Sequence, residues 1–319
     1  MKKTFVLALI LISLTGSALS SNARAGVIGF HPAPQKSSWN SLLGTVMQLS
    51  RDYQIGNEWG KKPVTAAQLS SSSPEFVRAA TATASYGGGT AFYLGKFNGQ
   101  HVMGTNHHVQ PSMRCRGHAS FQVLAKNYAC VQVLGHWTAI DFALFTIEVP
   151  AADEANLISI GKNFNFDRPL VAGQPLLTIG HGVADNPRRR LVANQDSDCK
   201  VFSDEYRFMA DPDEFNPGTY QAWSFANGCD VSHGDSGSAM VDRLTGEPVG
   251  IIWTGRIPKN PEAQDSAKID EWLRTQSPEI WKQLSYAVPV AKIREILREV
   301  VAGDSMDRKS ADTIREIIR

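Results

Sequence analysis

Gly234-Asp235-Ser236-Gly237-Ser238 stands between a turn-rich stretch and an apolar one. A serine hydroxyl is a weak nucleophile and needs a neighbouring base to take its proton. It also needs hydrogen-bond donors for the charge that develops on the attacked oxygen. The flanking glycines permit a tight curl of the chain. Such a curl turns the backbone N–H groups of Gly234 and Ser236 the same way, which makes these two the candidate oxyanion donors. The plain alternative is an ordinary glycine-serine turn, so the rest of the chain has to supply the base and its orienting acid.

Thr105-Asn106-His107-His108-Val109 follows a predicted strand. Neighbours in a strand point to opposite faces, so only one of the two histidines can face a given site, and a shared metal ion is disfavoured for the pair. Asp141 lies in Ala139-Ile140-Asp141-Phe142-Ala143-Leu144. An acid among apolar residues carries a desolvation cost unless a partner such as a histidine N–H offsets it. The chain order is then histidine, aspartate, serine. An α/β-hydrolase needs a histidine after its serine, but His233 is the last in the chain, and Ser238 stands where Gly-x-Ser-x-Gly needs glycine. A subtilisin-like order needs an aspartate ahead of the histidine, and Asp52, far upstream, is the one such residue. The order His108, Asp141, Ser236 is the one that survives.

With these residues in place the chain resembles the trypsin-like serine peptidases, and among them the bacterial glutamyl-endopeptidase-like branch. Thr105–Val109 is similar to the branch's threonine-asparagine-x-histidine-valine signature, which makes His108 the base. Asp141-Phe142-Ala143-Leu144 and Gly234–Ser238 resemble its aspartate and nucleophile motifs. Val249–Trp253 looks like the strand lining the specificity pocket, and Tyr286–Pro289 like the strand leading to the closing helix. The resemblance spans about 76–301. It implies an all-β fold of two six-stranded antiparallel barrels of the chymotrypsin type with a C-terminal helix, and an endopeptidase acting through an acyl-enzyme. It implies no cofactor or metal, and a protein or peptide as substrate. The rival class is an inactive peptidase-fold protein that binds peptides; an esterase has the wrong chain order.

Substrate contacts are expected from Asp230, Ile252, Trp253 and Gly255. Asp230 lies six residues before Ser236, where by resemblance trypsin carries its pocket aspartate, and this implies cleavage after Arg or Lys. Ile252 stands where the glutamate-preferring branch has a histidine. Asp230 can equally be a structural acceptor of loop N–H groups, and both readings stay open. Ala239 replaces the branch's usual proline. No Ile-Val-Gly-Gly activation sequence occurs, so Asp235 needs a partner other than a newly cut N-terminus.

Outward from the motifs, 76–301 reads as short strands broken by turns, among them Ala79–Ala84, Thr90–Leu94, His101–Gly104, Phe121–Leu124, Val131–Leu134 and Ala143–Val149. A second series runs through Leu176–Ile179, Leu191–Ala193, Ala239–Val241 and Val249–Trp253. Helical signal concentrates at the end. There Pro289 opens a segment with Ile293, Ile296, Leu297, Val300 and Val301 on one face, and 302–319 forms a helical tail. Residues 256–284 are an insertion, expected as a helical flap or a surface decoration. Residues 26–75 differ in composition, with a short helical stretch around Trp39–Leu49 and the serine run Ser70–Ser73, and read as an N-terminal extension or pro-segment. Lys61-Lys62 is a dibasic processing candidate that Pro63 disfavours.

Residues 1–25 read as a signal peptide: Lys2-Lys3, the apolar run Phe5–Leu14, and Ala23-Arg24-Ala25 before Gly26. A retained membrane anchor is disfavoured by the shortness of the run. Removal takes three of 32 basic residues and none of the 31 acidic ones, leaving a net charge of −2. With no long basic run, nucleic acid is a poor partner. Export to the periplasm or beyond favours disulfides, and of three pairings Cys115–Cys130 with Cys199–Cys229 close the more modest loops. No Cys-x-x-Cys spacing supports zinc.

Overall fold

The computed structural model describes residues 51–319 apart from 216, 217, 219, 304 and 305. The expected signal peptide and the helical stretch near Trp39 lie outside them. The chain enters through β1 (Lys61–Pro63), α1 (Ala66–Ser71) and α2 (Pro74–Ala82). Then come β2 (Thr83–Tyr86), β3 (Gly89–Phe97), β4 (Gln100–Thr105), β5 (His118–Phe121), β6 (Lys126–Trp137) and β7 (Phe142–Ile147). These six close into an antiparallel barrel in the order β2-β3-β4-β7-β6-β5.

The period-two pattern of the strands explains the closure. On β3, Ala91 and Tyr93 enter the barrel interior with Met103, Phe121, Val133 and Phe145. Phe92 and Leu94 point the other way, into a core shared with Val102, Phe142, Leu144 and residues of the second half. Strands buried on both faces read as near-continuous apolar runs, as Phe142–Ile147 does.

The second half holds β8 (Leu176–Gly180), β9 (Val192–Asn194), β10 (Arg207–Ala210), β11 (Gln221–Asn227), β12 (Ala239–Asp242), β13 (Pro248–Gly255) and β14 (Ser285–Pro289). With β1 they form one eight-stranded sheet, β1-β9-β8-β12-β13-β14-β11-β10. The expected second closed barrel is therefore not a complete ladder. After β9 the chain is turned by Asp196, whose Oδ1 accepts from the N–H groups of Asp198 and Cys199 at 2.8 Å. It returns between β8 and β11 without forming a regular strand, through the isolated bridges Pro175↔Lys200 and Val201↔Asn227 and backbone hydrogen bonds such as Leu176 N to Cys199 O and Phe202 N to Ala226 O. Cys199 bonds to Cys229 at this seam, and Cys115 bonds to Cys130 across the first barrel's rim.

Helix is more widespread than the sequence suggests. The expected strand Ala79–Ala84 is mostly α2: Ser73 Oγ accepts from Phe76 N, Pro74 opens the first turn, and this capping outweighs the β-branched Thr81. Helix α3 (Ala151–Ile160) joins the two halves. The insertion, expected as a helical flap or a surface decoration, carries α4 (Ser266–Thr275) and α5 (Ile280–Gln283). Ile269, Trp272 and Ile280 are buried in the shared core. The closing helix α6 (Val290–Ala302) buries Ile293 and Leu297 there, and α7 (Arg308–Ile317) adds Ile314 and Ile317.

Residues 51–75 are built into this architecture rather than hung on it. Tyr53 and Ile55 are buried, β1 pairs with β9, and the insertion grips the segment through Lys259 N to Asp52 O and Gly56 N to Ala263 O. No structural boundary falls at Phe76, which lies inside α2.

Candidate active site

Asp141 follows the 3-10 turn Thr138–Ile140 in a left-handed conformation, φ 35°, which aspartate tolerates better than most residues. Asn106, wholly buried at the end of β4, donates from Nδ2 to the Asp141 carbonyl at 2.8 Å. Both carboxylate oxygens of Asp141 then meet His108: Oδ1 accepts from the backbone N–H at 2.9 Å, and Oδ2 lies 2.7 Å from Nδ1. Burial pulls the pKa of His108 down, but the charge and hydrogen bond of Asp141, helped by Asp211, outweigh it and hold it above the ordinary value. His107 turns away and stacks on His136, 4.8 Å between ring centres. Burial keeps the pKa of His107 low.

The loop carrying Ser236 packs against this end of the first barrel. Ser236 O accepts from Thr90 N at 2.9 Å, and Thr105 Oγ1 donates to Thr90 O at 2.7 Å. Gly237 has φ +88°, and a Cβ there would come within 2.1 Å of Thr90 O and 3.2 Å of Asn106 N, so only glycine allows the approach. Gly234 is also left-handed, at φ +93°. Among the described residues, the N–H groups of Gly234 and Ser236 and the hydroxyl of Ser236 have no acceptor or partner. Ser236 is half-buried. The loop is tied to β13 by Gly237 N to Ile252 O and Ile252 N to Ser238 O, each 3.0 Å.

The expected substrate contacts are placed differently. Asp230 is fully buried, and its two oxygens accept from Ile55 N and Gly60 N at 2.7 Å each. Burial, with the charge of Asp196, pushes its pKa up to about 8 against the pull of those bonds. Both oxygens are engaged by backbone donors in a sealed site, the arrangement expected of the structural alternative for Asp230. Ile252 and Trp253 face the core, the indole of Trp253 donating to Ser224 Oγ at 2.9 Å, because β13 is buried on both faces. Gly255 closes β13 opposite Ser285.

Residues that sequence reasoning missed surround the site. Tyr220 lies 5.5 Å from the His108 ring, and burial raises its pKa. Asp211 receives the Thr254 hydroxyl, and burial pushes its pKa up to about 6. His233 lies between Tyr53 and Asp213, 3.2 Å from Tyr53 Oη and 2.8 Å from Asp213 Oδ2. All lie on irregular loops or strand ends with no motif to mark them.

No protein-family model matches the chain, and no curated protein does. Solved structures do resemble it. Rv3671c from M. tuberculosis H37Rv, in an inactive form, is 14% identical with a TM-score of 0.49, covering 79% of this chain and 100% of that one. The serine endoprotease from Yersinia pestis is 17% identical with a TM-score of 0.44, covering 77% and 69%. The HtrA-type protease AlgW with a decapeptide is 15% identical with a TM-score of 0.41, covering 67% and 52%.

Proposed function

We propose that the protein is an exported serine endopeptidase. Asp141 orients His108, and His108 takes the proton of Ser236 as the hydroxyl attacks a peptide carbonyl. The N–H groups of Gly234 and Ser236 hold the oxyanion, and water releases the acyl-enzyme after His108 returns the proton to the leaving amine. The observation that carries this reading is the His108–Asp141 pair. Both oxygens of a buried carboxylate are spent on orienting one imidazole that is 22% exposed, near a serine loop whose Gly234 and Ser236 N–H groups have no acceptor among the described residues. A merely structural histidine does not need that arrangement. The motifs resemble those of the glutamyl-endopeptidase-like branch, which supports reading the chain beside it, while the preference for Arg or Lys loses its support with Asp230 sealed. Export is favoured by the leader-like N-terminus and the two disulfides, and no described helix is long and apolar enough to cross a membrane.

A fluorophosphonate probe tests this reading. Wild type should label at Ser236, and Ser236→Ala should not. His108→Ala should slow peptide turnover by roughly a thousandfold or more, while His107→Ala should cost far less. A correctly folded wild type that binds peptides but never labels would be the inactive relative instead.

A further inference from the structure

Asp235, the residue before the nucleophile, is 1% exposed. Its Oδ2 accepts from Ser232 N at 2.8 Å and Ser232 Oγ at 3.0 Å, and its Oδ1 from Gly182 N at 3.1 Å. None of these donors carries charge. The cation is Lys61, 7% exposed, whose Nζ bonds to Asp235 Oδ2 and donates to Ser232 Oγ at 3.1 Å. The space is closed around the pair: a Cβ on Gly182 would lie 2.3 Å from both Lys61 Nζ and Asp235 Oδ2. Lys61 is held in register by β1, opposite Asn194 of β9.

The contact is one of a series. Residues 53–61 touch the chain leading into Ser236 at Asp230 through Ile55 N and Gly60 N, at His233 through Tyr53, and at Ser232 and Asp235 through Lys61. The direction of the Asp235 side chain sets the path of Gly234–Ser236, and that path sets where the two oxyanion N–H groups point. A buried carboxylate without a cation would leave the site toward water and carry the loop with it.

We propose that Lys61 is a built-in positioning residue, holding Asp235 and hence the oxyanion loop in working shape, so that the enzyme acts with residues 51–63 retained and needs no newly cut N-terminus. This rests on the peptidase reading above. It also reverses the sense of the dibasic pair: Lys61-Lys62 is part of the finished enzyme rather than a processing site, since Lys61 is buried in a paired strand.

Two measurements on the full chain test the proposal. The intact mass of the fluorophosphonate-labelled protein should include residues 51–63. A labelled species that begins after Pro63 and lacks that segment overturns it, whatever any variant does. In Lys61→Met, kcat on a short peptide substrate should fall by about a hundredfold, the scale of a lost oxyanion donor, with KM changed by less than about threefold. Labelling and turnover at the wild-type rate would overturn the proposal alone. A wild type that never labels removes the peptidase reading and this proposal together.

Discussion

His108 has its charged form favoured by Asp141, while catalysis needs its neutral form. Its folded pKa lies above the ordinary 6.5, so kcat/KM should rise with pH and reach half its plateau above about pH 6.5. The same shift makes the protonated pair a stabilising contact in full below about pH 6.5, lost as the pH rises through the folded pKa. Asp141→Asn should lower the plateau by several thousandfold, and an acid limb at or below pH 6 in wild type would contradict the assignment. At Asp230 the expectation concerns stability. Asp230→Ser leaves the N–H groups of Ile55 and Gly60 poorly paired and should cost about 2–4 kcal/mol, read by denaturant unfolding. Its cleavage-site profile should match that of wild type, and a lost preference for Arg or Lys would return Asp230 to the substrate pocket.

At the scale of elements, the insertion behaves as part of the core. Trp272 of α4 is 4% exposed, and the helix is capped by Asp265 Oδ1 accepting from Ala267 N at 2.9 Å. Trp272→Ala removes a large buried ring from the cluster that also holds Ile55 and the C-terminal helices, and should cost about 3–5 kcal/mol in an unfolding titration. Deleting 261–283 should therefore give poorly folded protein rather than an enzyme with altered site preference. Ile269, Trp272 and Leu273 give the helix an apolar face, but which surface that face meets is not written in the sequence, because a hydrophobic stripe specifies burial and not a partner.

At the scale of the molecule, the seam of the second half is held by irregular backbone hydrogen bonds, such as Leu176 N to Cys199 O and Phe202 N to Ala226 O, and by one disulfide. Cys199 and Cys229 are separated by 30 residues, and closing such a loop contributes about 3.5 kcal/mol in the chain-entropy model. Replacing both with serine should lower the midpoint of denaturant unfolding and loosen the chain running into Ser236, so activity should fall before global unfolding. Loss of Cys115–Cys130, separated by 15 residues at the first barrel's rim, should cost about 3 kcal/mol. Coincident loss of activity and structure in the Cys199/Cys229 variant would show that the seam has no separate effect on the site.

The triad candidates were legible in the sequence because each sits in a short local pattern. Gly234 and Gly237 are left-handed where the loop must curl, Asn106 sits two residues from His108, and Asp141 stands alone among apolar neighbours. Local geometry dictates residue type there, so residue type can be read backwards. Much of β3 and β7 was legible as Thr90–Leu94 and Ala143–Val149, short apolar runs next to turn residues, because a strand buried on both faces leaves little room for polar side chains. Tertiary structure alone decided the rest. Asp230 and Lys61 have no local mark of their roles: the partners of Asp230 are 175 and 170 residues away, and those of Lys61 are 171 and 174. Their meaning comes from which distant donors and acceptors are sealed beside them, and burial of charge is a property of the assembled fold.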